Sequence, residues 1–79
     1  MKLGIYSLTD VAFQGEATSI NCKTTSVDIT VLDHHRPLLA VLNEGVISII
    51  DSSKKEHYIQ AKAGFLEVRD DNGVRCIIE

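Results

Sequence analysis

Asp33-His34-His35 sets a carboxylate beside two imidazoles, and Arg36-Pro37 follows directly. Such groups can hold a metal ion or move protons. A zinc site, however, needs three or four convergent ligands, and neighbouring residues in extended chain point to opposite sides. The third histidine, His57, falls in a different predicted hairpin. The run therefore reads as a solvated polar loop, or as a protein-contact loop whose imidazoles titrate near neutrality. A small β domain that binds a metal or a ligand through Asp33, His34 and His35 is the alternative.

Nucleophilic chemistry needs a serine or cysteine beside a base and an orienting group. The two cysteines, Cys22 and Cys76, fall on predicted inward faces, Cys22 with Ile20 and Cys76 with Val74 and Ile78. A buried thiol behaves as a small inert hydrophobe, so neither is expected to be catalytic. A disulfide between them requires adjoining strands and an oxidising compartment. Gly45, Gly64 and Gly73 are spaced as strand and turn devices, with no P-loop or GxGxxG among them. Asp70-Asp71 lies in a turn, and alternation puts Glu67 on an outward face. No catalytic residue, metal site or cofactor follows from these residues.

The elements that must position the loop are short. Turn residues cut the chain every 8 to 12 positions, the signature of a sandwich or barrel, and no apolar helical period persists. The predicted runs are 3–8, 11–14, 17–24, 27–31, 38–42, 46–51, 57–61, 65–69 and 74–78, with a bend or bulge at Gly15. Residues 38–42 suit a strand or a helical turn equally. Thr18, Ile20 and Cys22 share one face, as do Val27, Ile29 and Val31, with Asp28 and Thr30 opposite. Ser52-Ser53-Lys54-Lys55 and Asp70-Asp71-Asn72-Gly73 close hairpins, the second through Asn-Gly. Pro37 holds Arg36 extended and stiffens the loop. Residues 46–51 are apolar on both faces. Ile47 and Ile49 fit a core, whereas Val46 and Ile50, with Tyr58, are left for another protein to cover.

Seventy-nine residues make one domain, 1–79. Eight basic residues against eleven acidic give a net charge of −3 with no basic cluster, which argues against a nucleic-acid partner. No long apolar run suggests a membrane span, and residues 1–6 enter strand alternation without a signal-peptide pattern. The expected location is the cytoplasm or the cytoplasmic face of a membrane complex.

Two elements, in this order and spacing, carry a family resemblance: His35-Arg36-Pro37-Leu38-Leu39 and Gly64-Phe65-Leu66-Glu67-Val68. Phe13-Gln14-Gly15, Asn43-Glu44-Gly45 and Ile47-Ser48-Ile49 extend it over the whole chain. The chain resembles the N-terminal β-sandwich of the F-type ATP synthase epsilon subunit. The resemblance implies an all-β, ten-stranded sandwich at the foot of the central stalk. It implies a non-catalytic subunit that binds the gamma subunit and the polar loops of the c-ring, coupling proton- or sodium-driven rotation to ATP synthesis. The location implied is the cytoplasmic face of a bacterial inner membrane, with membrane association only through the complex.

Carried over by motif, Asp28 and His35 face the c-ring, and Asp33, His34 and Arg36 share that loop. Val46, Ile50 and Tyr58 are the candidates for the gamma contact. Asp33 and His34 stand where the family has Pro-Gly, Arg36 replaces a small residue, and Ala63 replaces a glycine. The C-terminal helical hairpin of many members would begin at Glu79, so the resemblance is to a short form without it. A stand-alone adaptor of the same fold, serving another complex, also fits these residues.

Overall fold

Alternating apolar and polar residues, broken by turn chemistry, fold as the period requires. The computed structural model describes residues 1–79 and contains eight strands: β1 (Lys2–Tyr6), β2 (Val11–Lys23), β3 (Asp28–Leu32), β4 (Leu38–Leu42), β5 (Gly45–Asp51), β6 (Glu56–Ala61), β7 (Gly64–Val68) and β8 (Gly73–Ile78). No helix is long and apolar enough to cross a membrane.

One layer runs β4-β7-β8-β1-β2 and the other β3-β2-β5-β6. Strand β2 belongs to both. Val11 to Glu16 pairs with β1, and Ala17 to Lys23 lies between β3 and β5. All named pairings are antiparallel except β1 with β8, which is parallel. Met1, the 33–37 loop and the β7–β8 turn therefore gather at one end of the first layer.

The fold class is the expected β-sandwich, but the strand count is eight rather than ten. Runs 11–14 and 17–24 are one continuous strand of 13 residues, because Gly15 stays within the β1 pairing opposite Leu3. One bulge lies further along, where the β2–β5 register slips between Ala17 and Ser19, and another lies before Gly15, where the β1–β2 register slips between Ile5 and Tyr6. An extra residue flips the alternation, so Ala17 is buried with Ile20 and Cys22, and Thr18 is exposed, contrary to the expected alternation. Thr18 Oγ1 instead donates to the Ile50 carbonyl, 3.2 Å away. Val27 was expected to join Ile29 and Val31 but lies in the turn before β3, exposed. Residues 38–42 resolve to a strand because Leu38 to Leu42 pair with Val68 to Gly64.

The core lies between the layers and holds no buried polar side chain. Ile5, Leu66 and Cys76 meet Ile20, Val31 and Ile49 from the opposite sheet. Both cysteines are buried and free, on the predicted inward faces. Burial pushes the Cys22 thiol up to about 11, with nearby Asp28 adding to it, and burial pushes Cys76 up to about 12. Neither is a thiolate at neutral pH, so neither is a nucleophile.

Candidate functional site

Strand β3 pairs only with β2 and ends in the 33–37 loop, which crosses from one layer to the other and enters β4. Four backbone and side-chain hydrogen bonds hold this crossing. The Asp33 carboxylate accepts from the buried Met1 ammonium group and from Asn72 Nδ2 at 3.3 Å. Asn72 Oδ1 accepts the His34 backbone N–H at 2.7 Å. The His35 backbone N–H donates to the Leu32 carbonyl at 3.2 Å. The Met1 ammonium, then Asn72, hold the Asp33 carboxyl below its usual range. The loop is thus bolted to the β7–β8 turn, which sequence spacing could not reveal.

Beyond these ties the loop's side chains are exposed, except that His35 is half-buried. His35 Nδ1 lies 2.8 Å from the Arg36 carbonyl. A carbonyl only accepts, so Nδ1 carries the proton and Nε2 is left open to a partner. His34 and Arg36 are exposed. No three of the His, Cys, Asp and Glu side chains converge to hold a metal. Asp33 to Arg36 are brought together as one patch. Asp28 is not among them: it starts β3, and the strand sets it about 16 Å from Asp33 at ~3.3 Å per residue.

His34 has φ 60°, in the left-handed region. This is the position where the resemblance expects glycine, and the backbone shows why: only glycine adopts that conformation without a steric cost. We expect His34→Gly to stabilise the domain by up to ~1 kcal/mol, read as a higher urea midpoint. A lower midpoint would mean that the imidazole holds the loop.

A second polar cluster lies on the β5–β6 hairpin. Asp51 Oδ1 accepts the backbone N–H groups of Ser53 and Lys55, both at 2.9 Å, and Oδ2 lies 2.8 Å from His57 Nε2. The His57 ring meets Phe13 edge-on, with centroids 5.0 Å apart. Ser52-Ser53-Lys54-Lys55 signalled the turn; the reach of Asp51 across the hairpin to His57 carried no local signal. His57, then the Lys55 N–H, lower the Asp51 pKa. A carboxylate with a depressed folded pKa contributes stability above its unfolded value of about 3.9 and loses it as pH falls through the folded value. We therefore expect the urea midpoint of Asp51→Asn to fall less steeply than wild type below pH 4. Parallel curves would exclude this pair as an acid-sensitive contact.

The outer face of the second layer gathers Val46, Ile50 and Tyr58, which are 45%, 38% and 64% exposed. They stand among Ser48, Asn21 and Gln60, each apolar group separated by a polar one. Glu67, the predicted outward carboxylate, accepts from Arg75 Nη2 at 3.0 Å on the other outer face.

Comparison with known proteins bears directly on this arrangement. The family model described as ATP synthase, Delta/Epsilon chain, beta-sandwich domain matches residues 1–77. The chain is 32% identical to the ATP synthase epsilon chain of Chlorobium limicola over 73 residues, covering 92% of this chain and 83% of that one. It is 39% identical over 59 residues to the ATP synthase epsilon chain of Streptomyces griseus, covering 75% of this chain and 48% of that one. It is 32% identical over 80 residues to ATP synthase epsilon chain 2 of Burkholderia orbicola, covering 100% of this chain and 52% of that one. The chain thus spans about half the length of the latter two relatives.

Among solved structures, a chain of the Euglena gracilis mitochondrial ATP synthase superposes with a TM-score of 0.92 at 19% identity, over 99% of this chain and 49% of that one. A chain of the Tetrahymena thermophila mitochondrial ATP synthase central stalk and c-ring gives 0.86 at 17%, over 99% and 62%. The shared fold and the match along residues 1–77 place this chain in the ATP synthase delta/epsilon β-sandwich family.

Proposed function

We propose that this chain is a non-catalytic central-stalk subunit of a rotary ATP synthase, coupling ion-driven rotation of the c-ring to the gamma subunit. Its place is peripheral, on the cytoplasmic face of a bacterial inner membrane, held there by the complex. The observation that carries the reading is the anchored loop. Its base is tied to Met1 and Asn72, while exposed His34 and Arg36 and half-buried His35 form a preset polar surface. Preorganisation suits a contact that must hold under load, because little ordering is left to be done on binding.

Asp33, His34, His35 and Arg36 meet the polar loops of the c-ring, and Asp28 makes a separate contact along β3. Rim ion pairs are worth under about 1 kcal/mol each, so the contacts act together. Val46, Ile50 and Tyr58 supply apolar contacts to gamma from the outer face of the second layer. Relatives that bear the epsilon-chain name support the assignment, and the mechanism is mechanical, with no bond chemistry.

Two measurements test it. The chain and gamma from the same source should co-elute one-to-one at micromolar concentration. A folded chain that elutes alone would favour an adaptor role in another complex. Asp28→Ala with His35→Ala should weaken ring attachment and coupling while leaving the circular dichroism spectrum unchanged. Normal coupling in that double variant would remove the loop from the ring contact.

A further inference from the structure

Met1 closes the β1–β2 ladder. Its carbonyl accepts the Ala17 N–H and its own nitrogen donates to the Ala17 carbonyl, both at 2.9 Å. That exchange is an ordinary antiparallel rung, for which one N–H on each residue suffices. The Met1 nitrogen does more: another of its hydrogens reaches the Asp33 carboxylate at the base of the polar loop. An ammonium has three hydrogens and serves both acceptors, whereas an amide nitrogen has one.

The Met1–Asp33 contact opens a short relay. Asp33 also accepts from Asn72 Nδ2, and Asn72 Oδ1 accepts the His34 backbone N–H at 2.7 Å. The Asn72 carbonyl accepts the Lys2 N–H at 3.2 Å, so the relay returns to β1. His34 and Asn72 both hold left-handed backbone, at φ 60° and 63°. Such conformations persist where the surroundings fix them. Met1 itself is buried in the core, so its ammonium cannot swing out to water and needs a counter-charge where it stands. Asp33 supplies that charge. The proline that the family resemblance expects at this position has no side-chain acceptor, so the relay rests on a residue in which this chain departs from the pattern.

We propose that the amino group of Met1 is a modification-sensitive lock on the 33–37 loop. As a free ammonium it fixes Asp33 and, through Asn72, His34. An amide at the same nitrogen, as in an Nα-acetylated chain or one with a residue placed before Met1, keeps the Ala17 rung and releases Asp33. The ladder decides which acceptor is kept, because it aims that single hydrogen at the Ala17 carbonyl. The lock concerns the loop's own order, so it stands or falls apart from what the loop meets; only its consequence for c-ring attachment rests on the stalk reading.

Amide hydrogen exchange by NMR, on the whole chain with Met1 free and on the same chain Nα-acetylated, tests this. The His34 N–H should exchange at least ~tenfold faster after acetylation, a local opening, while the Ala17 N–H stays protected. One glycine placed before Met1 should reproduce both results. Asp33→Ala with a free Met1 should also speed exchange at His34, and combining it with acetylation should not multiply the two factors. Equal His34 exchange in the free and acetylated chains overturns the proposal, as do factors that multiply. Loss of Ala17 protection on acetylation overturns it too, since the charge would then be holding the strand rather than the loop.

Discussion

Ile20→Ala should cost the domain about 2–5 kcal/mol, the range for removing a fully buried large aliphatic side chain. Ile20 is 0% exposed and stands between Val31 and Ile49 in one buried row. A domain of this size is stable by roughly 4–12 kcal/mol at 0.05–0.15 kcal/mol per residue, so the loss is a large fraction of the whole. The effect extends to the loop, because β3 pairs with no strand other than β2. Loosening β2 at Ile20 frees the strand that delivers Asp33 to Arg36. Urea unfolding followed by circular dichroism gives the number, with Val46→Ala on the outer face as the reference, expected within ~0.5 kcal/mol of wild type. A loss below ~1 kcal/mol at Ile20 would contradict a closely packed interior.

The second large effect is expected at Gly64. A Cβ there would lie 2.3 Å from the Ile77 backbone carbonyl oxygen and 3.1 Å from Ile78 Cα. Backbone cannot rotate aside as a side chain does, so Gly64→Ala must separate β7 from β8, at about 1–3 kcal/mol. Gly45 gives the contrast: its nearest atom is Lys23 Cδ at 3.1 Å, the flexible stem of an exposed side chain. Gly45→Ala should therefore change the urea midpoint little. Equal midpoints for the two variants would mean that the β7–β8 approach is looser than these distances. The requirement at Gly64 is for space, since its φ is not in the left-handed region. His34 shows the opposite requirement, a left-handed conformation in an open loop.

What the sequence disclosed was local. Asn72-Gly73 and Ser52 to Lys55 announced their hairpins, and alternation sent Cys22, Cys76, Ile47 and Ile49 inward and Val46 and Ile50 outward. What it withheld depended on distant partners. The parallel β1–β8 pairing joins the two ends of the chain and leaves no turn signature. Gly15 resembled a break but sits within a ladder, whereas the irregularities at Ala12 and Thr18 have no glycine to mark them. The predicted first run reached Leu8, yet β1 ends at Tyr6. For the site, motif spacing selected the loop but could not separate Asp28 from it, because seven residues in sequence say nothing of which end of a strand each occupies. The ties from Asp33 to Met1 and from His34 to Asn72 span 32 and 38 residues and follow from tertiary structure alone.

Sharing β2 between the layers also has a mechanical meaning. In a sandwich of two separate sheets, a sideways pull on one sheet reaches the other only through side-chain contacts, which slide. Here a tug on the 33–37 loop passes along β3, across the β3–β2 ladder and along β2 to its rungs with β1. Those rungs lie across the strands and resist together when the strands are drawn lengthwise. The two layers are thus joined by hydrogen-bonded backbone throughout, so the domain answers a pull as a single stiff body.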